Sequence, residues 1–359
     1  MNYRLATILA EESATTAKTK TIDLNLVNPI SKLNIVFRPT NSNQTLIGHP
    51  ALCLPKVEIV DGSDVLFSAS GKELRAAAYY GSLHSPVDVL DYNISSECMF
   101  EAAILFGRYL RDPELALDPT KFRNLQLKIT HDKALGGATP TTATLAVYAH
   151  LFDEKVISPR GFLMTKEVFS YLPTGSEHKY VDLPTDHPYR LILVGGDSAG
   201  KYPYWRMAQL KLSEDFDRKL PLPATNVDDL LQSVLEMYPP IEDRIIAQIA
   251  TTGTVLYMTA GYEGSAVGCS YGGVEKAIGF GNGAGGTITG YSESATTFWA
   301  AAKGWCPHSL IALPLGNIND LGDMYEVREL KNLRLDILAD SSPGTSDEIV
   351  VVTQQLRSY

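Results

Sequence analysis

Residues 121–132 read KFRNLQLKITHD, and residues 329–340 read ELKNLRLDILAD. Five of the twelve positions are identical: Asn124/Asn332, Leu125/Leu333, Leu127/Leu335, Ile129/Ile337 and Asp132/Asp340. Arg123/Lys331 keeps its charge. Leu125, Leu127 and Ile129 alternate with Gln126, Lys128 and Thr130, and Leu333, Leu335 and Ile337 alternate in the same way. That period of two fits a strand with one buried and one wet face. A small-residue loop follows each segment, LGGATPTT (135–142) or SSPGTSD (341–347), and then a second strand-like run, TLAVYAHLF (144–152) or EIVVVTQQL (348–356). One β-hairpin is therefore written twice, about 200 residues apart.

Upstream, the order of signals is also shared. Gly107 precedes Asn124 by 17 residues and Gly316 precedes Asn332 by 16, each closing an apolar run, AAILFG or IALPLG. Strand 57–60, an Asp61-Gly62 turn and strand 65–68 lead into a helix with a capping box, Ser70-Gly71-Lys72-Glu73, ahead of residues 74–80. In the second half, strand 209–212, the turn SEDFD (213–217) and strand 219–222 lead into a helix over 227–237. Asn226 is its expected N-cap, with Asp228 and Asp229 at its positive end and an apolar stripe of Leu230, Leu231, Val234 and Leu235. Earlier still, KLNIVFRPTNSN (32–43) matches YRLILVGGDSAG (189–200), each a strand and a polar turn. Further strands are expected at 254–258 and 349–353. The halves differ between helix and glycine: Tyr80 to Gly107 spans 27 residues, Tyr238 to Gly316 spans 78. The second half thus carries about 50 extra residues, placed at 252–307 and rich in glycine.

The 359 residues suit two domains. With 45% apolar and 20% charged residues the chain is globular. The 31 basic and 41 acidic residues give a net charge of −10, which argues against a surface that coats nucleic acid. Cys53, Cys98, Cys269 and Cys306 have no C-x-x-C spacing and are too sparse for a disulfide framework, so buried thiols are expected. No apolar run approaches the roughly 20 residues of a membrane span. Residues 1–20, with their polar stretch 11–20, are expected to form an N-terminal arm: a disordered leader, or a contact element in an assembly.

Several motifs come close to a chemistry and stop short. Residues 195–201, GGDSAGK, fit G-x-x-x-x-G-K after a strand, but Tyr202 and Pro203 stand where a phosphate loop needs a hydroxyl and a helix. Residues 281–286, GNGAGG, fit G-x-G-x-x-G, yet the strand-like TITGY follows in place of a helix. Asp182, Asp186 and His187 lie close together on a loop and are expected to be solvated. Tyr202, Tyr204 and Trp205 could form an aromatic sugar platform, with packing between sheets the simpler reading. Glu214, Asp215 and Asp217 could bind Ca²⁺, with an exposed acidic turn the simpler reading. The seven histidines show no metal-binding spacing. The residues thus point to no catalytic group and no cofactor, and leave any metal undetermined.

Two tandem β-rich halves of shared strand order, anchored on NLQLKI/NLRLDI, VEIVDG/LKLSED and the two capped helices, resemble the double jelly-roll major capsid proteins of tailless icosahedral viruses, the coats of membrane-containing bacteriophages and the adenovirus hexon among them. The resemblance covers residues 21–359. It implies an all-β fold of two tandem jelly-roll sandwiches with a few short helices, one over 21–158 and the other over 159–359. It further implies a non-enzymatic coat protein, a homotrimer of six barrels acting as a pseudo-hexamer in an icosahedral virion shell, and synthesis in the host cytoplasm. The implied partners are other copies, penton and minor capsid proteins, and an internal membrane reached by the arm; sequence-specific nucleic acid is not among them. The insertion would suit a tower or a trimer contact. The competing readings are a two-sandwich glycan-acting hydrolase, which needs a carboxylate pair across a cleft, and a carbohydrate-binding protein.

Overall fold

The computed structural model describes residues 1–83, 88–249, 253–270, 278–280, 284–292, 296–344 and 347–359. The first half runs β1 (Tyr3–Ser13), β2 (Lys18–Asp23), β3 (Ile30–Asn41), β4 (Lys56–Asp61), β5 (Asp64–Ala69), α1 (Gly71–Ser82), β6 (Leu90–Asp91), β7 (Phe100–Leu105), β8 (Leu125–His131) and β9 (Pro140–Phe152). The second runs β10 (Gly161–Tyr171), β11 (His178–Asp182), β12 (Tyr189–Gly195), β13 (Met207–Glu214), β14 (Lys219–Asn226), α2 (Val227–Met237), β15 (Ile241–Ile249), β16 (Thr254–Tyr257), β17 (Ala260–Ser270), β18 (Ile278–Phe280), β19 (Thr287–Ser292), β20 (Thr296–Pro307), β21 (Leu310–Ala312), β22 (Leu333–Ala339) and β23 (Ile349–Ser358).

The strand order repeats. One sheet of the first half is β1-β9-β3-β7 and its partner is β2-β8-β4-β5. The second half gives β10-β23-β12-β21 and β11-β22-β13-β14, the same sequence of roles. Two four-stranded antiparallel sheets of this order, face to face, make a jelly roll. The duplicated segments are β8 and β22, and both bury every second residue: Leu125, Leu127, Ile129 and His131 in one, Leu333, Leu335, Ile337 and Ala339 in the other. Each fully buried Leu or Ile contributes about 1.5–3 kcal/mol by leaving water.

The repeat extends to side-chain bonds. Asp61 Oδ1 accepts the backbone N–H groups of Arg123 and Asn124 at 3.2 and 2.7 Å, and Asp215 Oδ1 accepts those of Lys331 and Asn332 at 2.8 and 3.4 Å. Asp132 accepts from the Ala134 N–H and Asp340 from the Ser342 N–H. Gln126 donates to Asp23 in one barrel, and Arg334, at the matching position, donates to Asp182 in the other.

Three expectations change. Residues 3–13 are no arm: they form β1, which pairs antiparallel with β9 from Tyr3↔Phe152 to Ser13↔Thr144, and 18–23 pair with β8. No residue of β1 is fully buried, because it is an edge strand, and its apolar alternation is correspondingly weak. The inserted region begins earlier than 252, at β15, and folds into two small sheets, β17-β20-β15-β6 and β16-β19-β18. Its first sheet takes β6 from the other half, through Ile245↔Leu90 and Ile246↔Asp91. Lastly, the Asn226 side chain makes no cap bond to the α2 backbone; it reaches Asp229 at 3.3 Å, and α2 relies on Asp228 and Asp229 against its dipole.

The α1 capping box forms as read, with Ser70 Oγ accepting from the Glu73 N–H and Glu73 Oε2 accepting from the Ser70 N–H. Gly71 is required there, since a Cβ would stand 2.3 Å from the Ala51 carbonyl oxygen. At the far side of the second barrel, the edge strand β14 carries Pro221 and Pro223, which withhold N–H donors from further pairing.

Candidate assembly interface

The two barrels are joined along one edge of each. Strands β5 and β10 meet in parallel at Ser68↔Lys166, so one sheet of each barrel merges into an eight-stranded sheet. Helix α1 lies along this seam and serves both cores. Leu74 packs into the first, with Phe37, Phe67 and Phe100. Ala76, Ala77, Tyr79 and Tyr80 pack into the second, with Leu191, Val234, Tyr238 and Leu310. The phenol hydroxyls are satisfied across the joint: Tyr79 donates to the Pro239 carbonyl at 2.6 Å and Tyr80 to the Leu310 carbonyl at 2.8 Å.

Arg190, from the start of β12, finishes the helix. Its guanidinium donates to the carbonyls of Ile318 (2.7 Å), Gly81 (2.7 Å) and Arg108 (3.3 Å) and to Gln354 Oε1 (2.7 Å). A cation at a helix C-terminus is favoured by the dipole. Burial lowers its pKa to about 10.

A buried polar cluster ties the inserted module to both barrels. Arg75 of α1 pairs with Asp88, both fully enclosed, and burial pushes the Asp88 carboxyl up to about 7 against the pull of Arg75. Lys72 reaches Asp197 at 3.6 Å and Asp347 at 3.4 Å, and those two carboxylates raise its pKa although burial works to lower it. Asp197 also meets His308 Nδ1 at 3.4 Å; burial works to raise its carboxyl, and Lys72 and His308 prevail and lower it. In the module, Asp243 accepts from the Thr259 N–H (2.6 Å) and hydroxyl (3.0 Å). His49 Nδ1 accepts from the Ala51 N–H at 3.1 Å and its Nε2 stands 3.3 Å from the Thr259 hydroxyl oxygen. With the Thr259 hydroxyl donating to Asp243, these bonds assign His49 as the neutral Nε2–H tautomer. Burial, then His308, Arg75 and Lys72, hold its pKa well below the usual value.

The residues singled out in the sequence are placed as follows. The 195–201 loop follows β12 but is no phosphate cradle: its Gly196 and Asp197 carbonyls accept from Arg206, and Lys201 is bound to the Ser342 carbonyl at 2.9 Å. Gly195 is needed for close packing, since a Cβ would stand 2.1 Å from the Ser309 carbonyl oxygen. In 281–286, Gly281 to Gly283 lie outside the described residues, and Gly285 and Gly286 turn directly into β19. Asp182 pairs with Arg334 and Asn332, while Asp186 pairs with His187, so these three form no single site. Tyr202, Tyr204, Trp205 and Tyr262 pack on one another, with Tyr204 and Tyr262 also against the second core and Trp205 42% exposed. Glu214 is buried and bound to Lys219 and Tyr325, Asp215 to backbone, and Asp217 to Lys211. Among the described residues no group of three or more His, Cys, Asp or Glu side chains converges to hold a metal ion. Cys53, Cys98 and Cys306 are free and buried, and burial raises the Cys98 and Cys306 thiols to about 12. The charged cluster at the joint was not foreseen, because its members come from segments up to about 300 residues apart with no local motif.

Two jelly rolls of one strand order, fused edge to edge and sharing a seam helix, leave one description. The fold is a double jelly roll. Solved structures share it over nearly the whole chain. The major capsid protein of bacteriophage PM2 aligns with a TM-score of 0.56 at 10% identity, covering 99% of this chain and 98% of its own. That of Sulfolobus Turreted Icosahedral Virus aligns with a TM-score of 0.58 at 11% identity, covering 99% and 96%. The capsid of PBCV-1 aligns with a TM-score of 0.51 at 11% identity, covering 99% and 94%. No protein-family model and no curated protein sequence matches the chain.

Among the described residues, one face of the inserted sheet is uncovered. Trp299 and Ala301 of β20 point outward, flanked by Ile246 and Arg244 of β15 and by Val267 of β17. Trp299 is 48% and Val267 73% exposed, an apolar patch of the kind that marks a contact surface.

Proposed function

We propose that this double jelly-roll chain is the major coat protein of an icosahedral virion, trimerising into a capsomer of six barrels. The carrying observation is the pairing of two barrels of identical strand order with a whole-chain fold match to three viral coat proteins. Duplication gives the physical logic: one chain presents two nearly equivalent barrels, and three chains around a three-fold axis give a pseudo-hexamer that tiles a shell. The outward face at Trp299 and Val267 is the contact between subunits. The partners are neighbouring capsomers and the penton and minor proteins of the shell, and the protein is made in the host cytoplasm. The chain acts by assembly and not by catalysis. Residues 3–13 belong to a barrel sheet, and no membrane contact is assigned to them.

Size-exclusion chromatography with light scattering tests the trimer. The expected mass is three times the 39.2 kDa of one chain, or a larger multiple. A monomer at every concentration that cleaves a glycan would overturn the proposal. Placing charges on the outer face with Val267→Asp and Trp299→Glu should leave the melting temperature within a few degrees and shift the protein to a monomer; a trimer that survives both changes places the contact elsewhere.

A further inference from the structure

Along the seam lies a partly open cavity of about 630 Å³, within the size of ordinary small-ligand sites. Its apolar wall comes from α1 and β7, through Leu74, Ala77, Ala78 and Ile104. Its lining also carries the cations Lys32, Arg108 and Arg190, and no Asp or Glu lines it among the described residues. Lys32 and Arg108 are held by Glu101 (3.2 Å) and by Asp112 (2.7 Å) and Glu114 (2.5 Å), none of which lines the cavity. Among the described residues Arg190 hydrogen-bonds to carbonyl and amide oxygens, and no carboxylate is bonded to its buried guanidinium. Leaving a buried cation without an anion is costly, and an anion entering beside it would be bound strongly for that reason.

We propose that this cavity binds a single-chain anionic amphiphile, a free long-chain fatty acid, with its carboxylate at the Arg190 end and its hydrocarbon along Leu74, Ala77, Ala78 and Ile104. The lining offers a match to both parts. A small inorganic anion would leave the apolar wall unfilled, and a neutral alkane would leave the cations unmatched. Because Thr165, Arg190, Asn319 and Gln354 come from the second half and the rest of the wall from the first, the bound acid bridges the two barrels and stabilises their seam. This site is independent of the coat-protein reading.

Calorimetric titration of the purified chain with oleate, and with oleyl alcohol as the uncharged analogue, tests it. One oleate per chain should bind, at least tenfold more tightly than the alcohol, and the melting temperature should rise with oleate concentration by mass action. Ala78→Trp, at a half-buried position of α1, fills the cavity and should abolish oleate binding while the melting temperature without ligand is kept or raised. Equal affinity for acid and alcohol, the absence of saturable one-to-one binding, or full binding by a folded Ala78→Trp protein would each overturn the assignment. The alcohol comparison needs no variant and stands if that substitution does not fold.

Discussion

Single aspartates hold the duplicated turns. Asp61 and Asp215 each accept two backbone N–H groups at the start of the strand that follows Asn124 or Asn332 in the repeat. Asp61→Ala or Asp215→Ala should each cost about 1–2 kcal/mol, read as a lower urea midpoint at unchanged slope, because two N–H groups lose a charged acceptor. Both residues are readable only in hindsight: an Asp before a Gly or an acidic run signals a turn, and the bond to a strand 62 or 116 residues away is invisible locally. His49 makes a sharper case. Its pKa in the fold lies below the unfolded value, so the folded state resists its protonation. Stability from this group is complete above pH 6.5 and is lost as pH falls from there towards the folded pKa, at about 1.4 kcal/mol per pH unit. The groups facing it are Lys72 and Arg75 from α1 and His308 from the module, with Asp243 behind Thr259. Glu73 works the other way: burial and Glu167 raise it to about 7, and its contribution is lost as pH rises through that value. Comparing variants separates the two. His49→Gln should flatten the fall in melting temperature between pH 6.5 and 5, and an unchanged slope would remove His49 from the acid response.

The duplicated strands β8 and β22 were legible because three of the four inner positions in each are Leu or Ile and the outer positions are mostly polar. Strand β1 was missed because it is an edge: its side chains are nowhere fully buried, so selection for apolar alternation is weak. It nonetheless pairs along eight register positions with β9. Deleting residues 1–13 should therefore lower the melting temperature by ten degrees or more, or prevent folding, by baring β9 as a new edge. A truncated chain as stable as the full one would show that β1 is dispensable. β6, two residues long, could not be read from sequence at all, and neither could its parallel pairing with β15; together with Tyr92, whose hydroxyl donates to the Tyr257 carbonyl, it anchors the module to the first half.

At the scale of the molecule, the order of signals along each half carried the fold. Four blocks in the same sequence fixed two copies of one unit, and the barrels follow that order strand for strand. The interface between the copies did not follow from the repeat, since α1, Arg190 and the Lys72–Asp197–His308 cluster join residues of one half to residues of the other. Symmetry predicts equivalence, and a seam needs asymmetric contacts to fix which barrel lies on which side. The two sheets that merge at β5 and β10 hold the barrels side by side, which the proposed six-barrel ring needs. Single-particle cryo-electron microscopy of the purified oligomer tests this most directly. The expected image is a three-fold particle with six upright barrels around a ring and the inserted modules meeting near its axis. A monomer, or an oligomer without three-fold symmetry, would contradict the account.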